Sequence, residues 1–122
     1  MKGYVVLFLL PLPKKNLAEY KKLARRFGRV AVDHGALHYR EFIGEDLKPK
    51  YAPPFTNVLP LKRGEVAITS VLEFKSRKHR DKTMLAMLHD PRMEKMMKEK
   101  PLFDMKKMYW AGFETIVEAK GK

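Results

Sequence analysis

The sequence contains no cysteine and only four histidines, which excludes disulfide bonds, thiolate metal sites and cysteine nucleophiles. The histidines are His34, His38, His79 and His89. They lack the paired spacing of a helical metal site, so we predict no metal. Glycine-rich phosphate loops, dinucleotide fingerprints and nucleophile elbows are absent too, and we predict no cofactor. No motif therefore identifies a reaction.

Long hydrophobic runs are also absent, because the apolar run at residues 4–10 is far too short to span a bilayer. Pro11, Leu12 and Pro13 follow it, where a signal peptide would have small residues for cleavage. We therefore predict a buried strand in a soluble protein without a membrane partner. The lack of cysteine fits a reducing compartment, and we expect a cytoplasmic location.

Acidic residues are few relative to basic ones: 14 against 26, giving a formal net charge of +12 and a pI near 10.0. Such an excess favours polyanions in general, including nucleic acid. Most of the basic residues are lysines spread along the chain, which is equally typical of a solvated basic surface. Nucleic-acid binding is therefore kept as an alternative hypothesis.

Hydrophobic periodicity predicts the order β-α-β-β-α-β in a single domain over residues 1–122. The predicted strands are residues 3–10, 36–45, 66–74 and 107–117, and the predicted helices are 17–34, 77–89 and a short 92–98. Asn16 with Glu19 predicts a capping box, and Ser76 and Asp90 predict further helix caps. This is the ferredoxin-like arrangement, an α+β fold with helices on one face of an antiparallel sheet.

The first predicted strand is apolar at both parities, so both of its faces need cover. Helices cover one face, and the last strand is too apolar for the other face to meet water. Packing two such sheets face to face would cover it, so we predict a homodimer.

Five segments carry a resemblance to a known family. They are PLPKKNLAEY at residues 11–20, HGAL at 34–37, SRKHRD at 76–81, DPRM at 90–93 and FDMKKMYWAGFE at 103–114. In this order, and over essentially the whole chain, they resemble the uncharacterised domain-of-unknown-function family 1428, which looks like a branch of the dimeric α/β-barrel group. The resemblance implies the same fold and dimer. Relatives in the wider group include cofactor-free oxygenases, haem-degrading enzymes and simple ligand binders, so it implies little about activity. The chain departs from the family pattern in its basic charge and in Glu73.

Three carboxylates, Glu41, Glu73 and Glu114, lie inside otherwise apolar strands. A carboxylate in a dry cavity must be paired or neutralised, and a raised pKa there suits a general acid or base. The alternative is a strand-edge glutamate paired with a surface lysine. We predict that Trp110 and Glu114 face the space between the two sheets.

Arg77 and Arg80 fill the first turn of the second long helix, where the helix dipole prefers negative charge. A bound anion would resolve the conflict, as would a carboxylate of the same or the other subunit. His34 ends the apolar face of the first helix. A packing or capping role competes there with a catalytic one.

These patterns leave three hypotheses open. The first is a homodimer with a small-molecule pocket between its sheets, in which Glu41, Glu114 and His34 are candidate catalytic residues and Tyr39, Trp110, Arg77 and Arg80 are candidate ligand-binding residues. Proton transfer or cofactor-independent oxidation of a small organic ligand would suit it. The second is a basic protein that binds nucleic acid or another polyanion. The third is a structural dimer without a ligand.

Overall fold

The computed structural model describes residues 3–121. The strands are β1 (Tyr4–Pro13), β2 (His38–Ile43), β3 (Glu65–Phe74) and β4 (Tyr109–Glu114), and the helices are α1 (Leu17–Asp33), α2 (Arg77–Leu88) and α3 (Pro91–Met97). They form one four-stranded antiparallel sheet in the order β2-β3-β1-β4. The predicted α+β class and ferredoxin-like order are confirmed. No helix among residues 3–121 is long and apolar enough to cross a membrane.

Alternation along β1 separates a covered face from an open one. Val6, Leu10 and Leu12 are buried with residues of α1, in two clusters that also contain Leu72 and Ile68 of β3. Directly opposite residues of antiparallel strands point to the same face. The pairings Val6 with Leu72 and Leu10 with Ile68 therefore define the face that the helices cover.

The opposite face of the sheet is apolar and is covered by no helix of residues 3–121. We call it the open face; its central residues are Val5, Leu7, Leu9, Val71, Ala111 and Phe113. Phe113 is 50% exposed and Tyr109 is 59% exposed. Near the edge formed by β2, His38, Arg40 and Glu73 make this face polar. The prediction of a second apolar face without a covering helix is confirmed, but the end of this face at Pro11 and Ala67 is buried, beside Leu47 of the segment between β2 and β3.

Two of the three predicted helix caps are confirmed. Ser76 accepts a hydrogen bond from the backbone N–H of His79, and Asp90 accepts one from that of Arg92. The Asn16 capping box is wrong, because Asn16 ends a short 3₁₀ turn with φ −97° and ψ 4° rather than the extended backbone of an N-cap. Its amide instead donates to the Leu102 carbonyl at 2.7 Å.

The two prolines of β1 limit its pairing with β4. The backbone N–H of Lys14 donates to Gly64 O, next to the start of β3, so the nitrogens of Pro11 and Pro13 point to the other edge of the strand, towards β4. Proline has no N–H to donate. The pairing with β4 stops at Leu9, whereas the pairing with β3 continues to Pro13.

Leu72 tests how far stability depends on the covered face. It is fully buried between the sheet and the helices, so Leu72→Ala should lower the free energy of unfolding by about 2–5 kcal/mol in urea denaturation. Leu85→Ala on the exposed side of α2 is the control and should cost less than about 1 kcal/mol. Equal losses for the two variants would contradict this account of the core.

Candidate ligand-binding site

Glu41 is positioned by the register between β2 and β3. It lies directly opposite Ser70, and Tyr39 lies two residues before it on the same, helix-covered face. Tyr20 approaches from α1, where it is buried among Leu10, Ala24 and other apolar residues. Three elements thus bring four polar side chains together; Tyr20, Tyr39, Glu41 and Ser70 are called the Glu41 cluster below.

Every hydroxyl of the Glu41 cluster donates to its carboxylate. Tyr20 donates to Oε1 at 2.9 Å and Ser70 donates to the same oxygen at 2.8 Å. The hydroxyl of Tyr39 donates to Oε2. None of the ion pairs within residues 3–121 involves Glu41. The carboxylate is therefore solvated by neutral donors and has no counter-cation.

Burial dominates the electrostatics of this group. It raises the pKa of Glu41, while the hydrogen bonds from Ser70 and Tyr20 act in the opposite direction. Burial also raises the pKa of Tyr20, and the neighbouring charge of Glu41 adds to that effect. Tyr20 therefore remains a proton donor to Glu41 across the neutral range.

The Glu41 cluster lines a cleft of about 770 Å³ between α1, α3, the sheet and residues 98–108. Its walls are mostly apolar, with aromatic rings and thioethers; they include Phe8, Phe27, Phe103, Met93, Met96, Met97, Met105 and Met108. A concave, apolar site with a few convergent polar groups is the usual form of a small-molecule site. Two side chains hold residues 98–108 in place. Asn16, just before α1, donates the hydrogen bond to Leu102 O, and Arg26 of α1 donates to both carboxylate oxygens of Glu99 at 3.0 and 2.8 Å.

A second groove, also of about 770 Å³, lies on the other side of α1, towards the edge formed by β2. It is lined by Lys21, Arg25 and Arg29 together with apolar residues. Tyr20, Tyr39 and Glu41 line both spaces. The carboxylate is thus reached from two sides of the helix.

Trp110 and Glu114 lie on the opposite face from the one predicted. Trp110 pairs with Phe8 and Glu114 with Tyr4, and both partners belong to the helix-covered face. The prediction that Trp110 and Glu114 face the space between two sheets is wrong, because β4 is an edge strand whose exposed side chains let Glu114 reach water on the helix side. Trp110 packs on Phe8, with ring centroids 6.2 Å apart, whereas Glu114 does not line the cleft.

His34 lies far from the Glu41 cluster. It follows Tyr20 by fourteen positions on α1, which corresponds to about 21 Å along the axis. Its Nε2 is 2.8 Å from Oδ2 of Asp90, the cap of α3. Arg92, and then His34, hold the pKa of Asp90 well below its usual range. The contact joins α1 to α3, and a catalytic role for His34 with Glu41 is not supported by this geometry.

The basic turn of α2 is partly neutralised by a carboxylate of the same chain. Nε of Arg80 is 2.7 Å from Asp81, and its guanidinium carbon lies 5.1 Å from the centre of the Tyr4 ring. Arg77 reaches the other Asp81 oxygen at 4.0 Å and is otherwise exposed. Neither arginine lines either cleft, so the structure does not bring them to the Glu41 cluster. Glu73 lies on the open face, 3.9 Å from His38.

Two members of the Glu41 cluster were missed by sequence reasoning. Tyr20 fits the apolar stripe of α1, so its hydroxyl carried no separate signal, and Ser70 is one small polar residue in an apolar strand. Only the register between β2 and β3 shows that Ser70 faces Glu41. Among residues 3–121 no cluster of three or more acidic or histidine side chains could hold a metal ion.

Residues 3–105 match a family model described as a protein of unknown function, DUF1428. The uncharacterized protein YbaA of Escherichia coli K12 is 28% identical over 115 residues, which cover 94% of this chain and 97% of that protein. YbaA of Shigella flexneri matches to the same extent.

Solved structures with low sequence identity share the fold. A nipsnap family protein of unknown function from Agrobacterium tumefaciens has a TM-score of 0.59 at 15% identity, with 93% of this chain and 87% of that one covered. Rv0793 from Mycobacterium tuberculosis has a TM-score of 0.55 at 13% identity, with 98% and 100% covered. A dimeric ferredoxin-like protein from an uncultured marine organism has a TM-score of 0.53 at 8% identity, with 99% and 100% covered.

Glu41→Gln tests whether burial or hydrogen bonding controls the carboxylate. The pKa of Glu41 is higher in the folded chain than in the unfolded chain, where it is about 4.3. The unfolded chain therefore loses this proton first as pH rises, and the contribution of Glu41 to the free energy of unfolding falls until pH exceeds the folded pKa. Above that pH the contribution is constant. The free energy of unfolding of the wild type minus that of the variant should therefore decrease between pH 4 and the plateau. Urea denaturation across this range measures it. An increase with pH would mean that the hydroxyl donors outweigh burial.

Proposed function

Because the chain belongs to DUF1428, a family of unknown function, we propose a function from its own site: each chain binds a small, largely apolar molecule in the cleft beside α1. Glu41 is the polar contact for that molecule. The observation that carries the proposal is a half-buried carboxylate, held by three hydroxyl groups, in the wall of an apolar cleft. Such convergence of polar groups in an apolar space is what fixes the orientation of a small ligand.

Of the residues predicted from the sequence, Tyr39 and Glu41 belong to this proposal. Trp110 does not line the cleft, but it packs against the ring of Phe8, which does. Proton transfer is the reaction class that the site suits, because burial raises the pKa of Glu41 above its usual value, as is typical of a carboxyl group that acts as a general acid or base. Cofactor-independent oxidation stays a prediction.

We further propose that two chains pair through the open face. Its apolar side chains lie on three adjacent strands, and Phe113 and Tyr109 remain half-exposed in the single chain. Apolar patches of this kind mark protein interfaces, and a two-fold dimer covers the same patch on both copies. A fold that is shared with a protein described as dimeric and ferredoxin-like agrees with this proposal.

The polyanion hypothesis has weaker support. Five basic side chains lie on the polar side of α1: Lys21, Lys22, Arg25, Arg26 and Arg29. Of these, Lys22 contacts Glu19, Arg26 contacts Glu99 and Arg29 contacts Asp33. These pairs reduce the charge available to a polyanion, and nucleic-acid binding remains a prediction that a salt titration would test.

Leu7→Lys tests the dimer. Leu7 lies in the middle of the open face, and a lysine buried there without a partner would cost too much for the interface to form. Sedimentation velocity should give a dimer for the wild type and a folded monomer for the variant. Leu85→Lys on α2 is the control and should remain dimeric. A monomeric wild type would contradict the proposal.

Native mass spectrometry of the purified, untagged protein tests the cleft. We expect one small-molecule adduct per chain in the wild type. Met96→Trp should lose it, because an indole in the cleft wall fills the space, whereas Leu85→Trp outside the cleft should keep it. A wild type without added mass, or one that carries an oligonucleotide, would contradict a small-molecule function.

A further inference from the structure

The four polar side chains of the Glu41 cluster offer a ligand acceptors only. A tyrosine or serine hydroxyl has a single proton to donate. Each of the three hydroxyls in the Glu41 cluster already donates its hydrogen bond to the carboxylate. What remains facing the cleft is lone pairs: those of Tyr20, Tyr39 and Ser70, and those of Glu41 itself. A ligand group that only accepts hydrogen bonds would find no free side-chain donor among these four residues.

The carboxylate has room for one more donor. An ionised carboxylate has about four lone-pair positions on its two oxygens. Tyr20 and Ser70 occupy two on Oε1, and Tyr39 occupies one on Oε2. The open position is therefore on Oε2, beside the oxygen of Tyr39. A donor placed there is next to a second acceptor, the hydroxyl oxygen of Tyr39.

Charge points to the same kind of ligand. Glu41 has no counter-cation among the ion pairs of residues 3–121, although the protein has a net charge of +12. A half-buried carboxylate without an ion-pair partner has lost part of its hydration, so a ligand that brings a positive charge gains more from it than a neutral one. Aromatic rings favour a cation nearby, and Tyr39 and Phe27, with ring centroids 5.3 Å apart, both line the cleft.

We propose that the cleft selects a primary amine, with its ammonium group at the Glu41 cluster and its apolar body between the aromatic and thioether walls. An ammonium group has three donors and no acceptor, which matches a set of side chains that has acceptors and no free donor. The proposal rests on the function proposed above and names its ligand class.

The mouth of the cleft does not oppose a cation strongly. Lys22 contacts Glu19 at 3.3 Å and Arg26 contacts Glu99 at 2.8 Å, whereas Lys100, which also lines the cleft, is in none of the ion pairs of residues 3–121. The charges of Lys22 and Arg26 are thus offset locally, and Glu41 balances the charge of Lys100 in the lining as a whole, so the cleft has no net positive charge.

The experiment uses four probes with one benzene ring each: 2-phenylethylamine, 2-phenylethanol, 4-ethylphenol and 3-phenylpropanoate. Isothermal titration calorimetry measures each dissociation constant with the full chain, and fluorescence of Trp110, the single tryptophan, reports binding near Phe8. We expect the amine to bind at least tenfold more tightly than the alcohol. Glu41→Gln should abolish this preference, and Glu114→Gln, the same change on an exposed strand residue outside the cleft, should keep it.

Each outcome bears on one of the two proposals. Tightest binding of 4-ethylphenol, lost in Glu41→Gln, would overturn the amine class and leave the proposed small-molecule function standing. An amine preference that survives in Glu41→Gln would also overturn the amine proposal. Failure of all four probes to bind would overturn both. If Glu41→Gln does not fold, the wild type decides: the amine preference must weaken as pH falls and Glu41 is protonated, and a constant preference would refute it.

Discussion

The rest of the structure depends on the fact that β1 is central in the sheet and apolar on both faces. It has a strand on each side, so its side chains can only point towards one of two layers. The helices supply one layer over Val6, Leu10 and Leu12. Within residues 3–121 no helix covers the other side at Leu7 and its neighbours, and this is the surface at which we propose that a second chain packs. The proposed pairing of two chains thus follows from the composition of one strand.

The Glu41 cluster is a compromise between two unfavourable alternatives. A bare carboxylate beneath α1 would lose its hydration, and an ion pair would place a second charge in the same apolar space. Three hydroxyl donors solvate the ion without adding charge, which explains why the hydrogen bonds counteract but do not cancel the effect of burial on its pKa. As a consequence, the three hydroxyl groups donate to Glu41 and have no proton left to donate to another group.

Much of the fold, but only part of the site, follows from the sequence. Periodicity located the strands and helices, and the resemblance to DUF1428 was confirmed. Glu41 and Tyr39 were found because a carboxylate in the middle of a strand needs an explanation. Alternation within a strand cannot tell which face meets the helices, so Trp110 and Glu114 were placed on the wrong side. Likewise the spacing around His34 contains no information about Asp90, which is distant in sequence.

The prolines of β1 have an effect on the shape of the cleft. Because Pro11 and Pro13 cannot donate towards β4, the last four residues of β1 have β3 as their one neighbouring strand, and the chain that precedes β4 is free to cross there. Residues 98–108 cross at this position and form one wall of the cleft. They are held by hydrogen bonds from Asn16, just before α1, and from Arg26 of α1. Two missing N–H groups at a sheet edge thus accompany the gap in which the cleft lies.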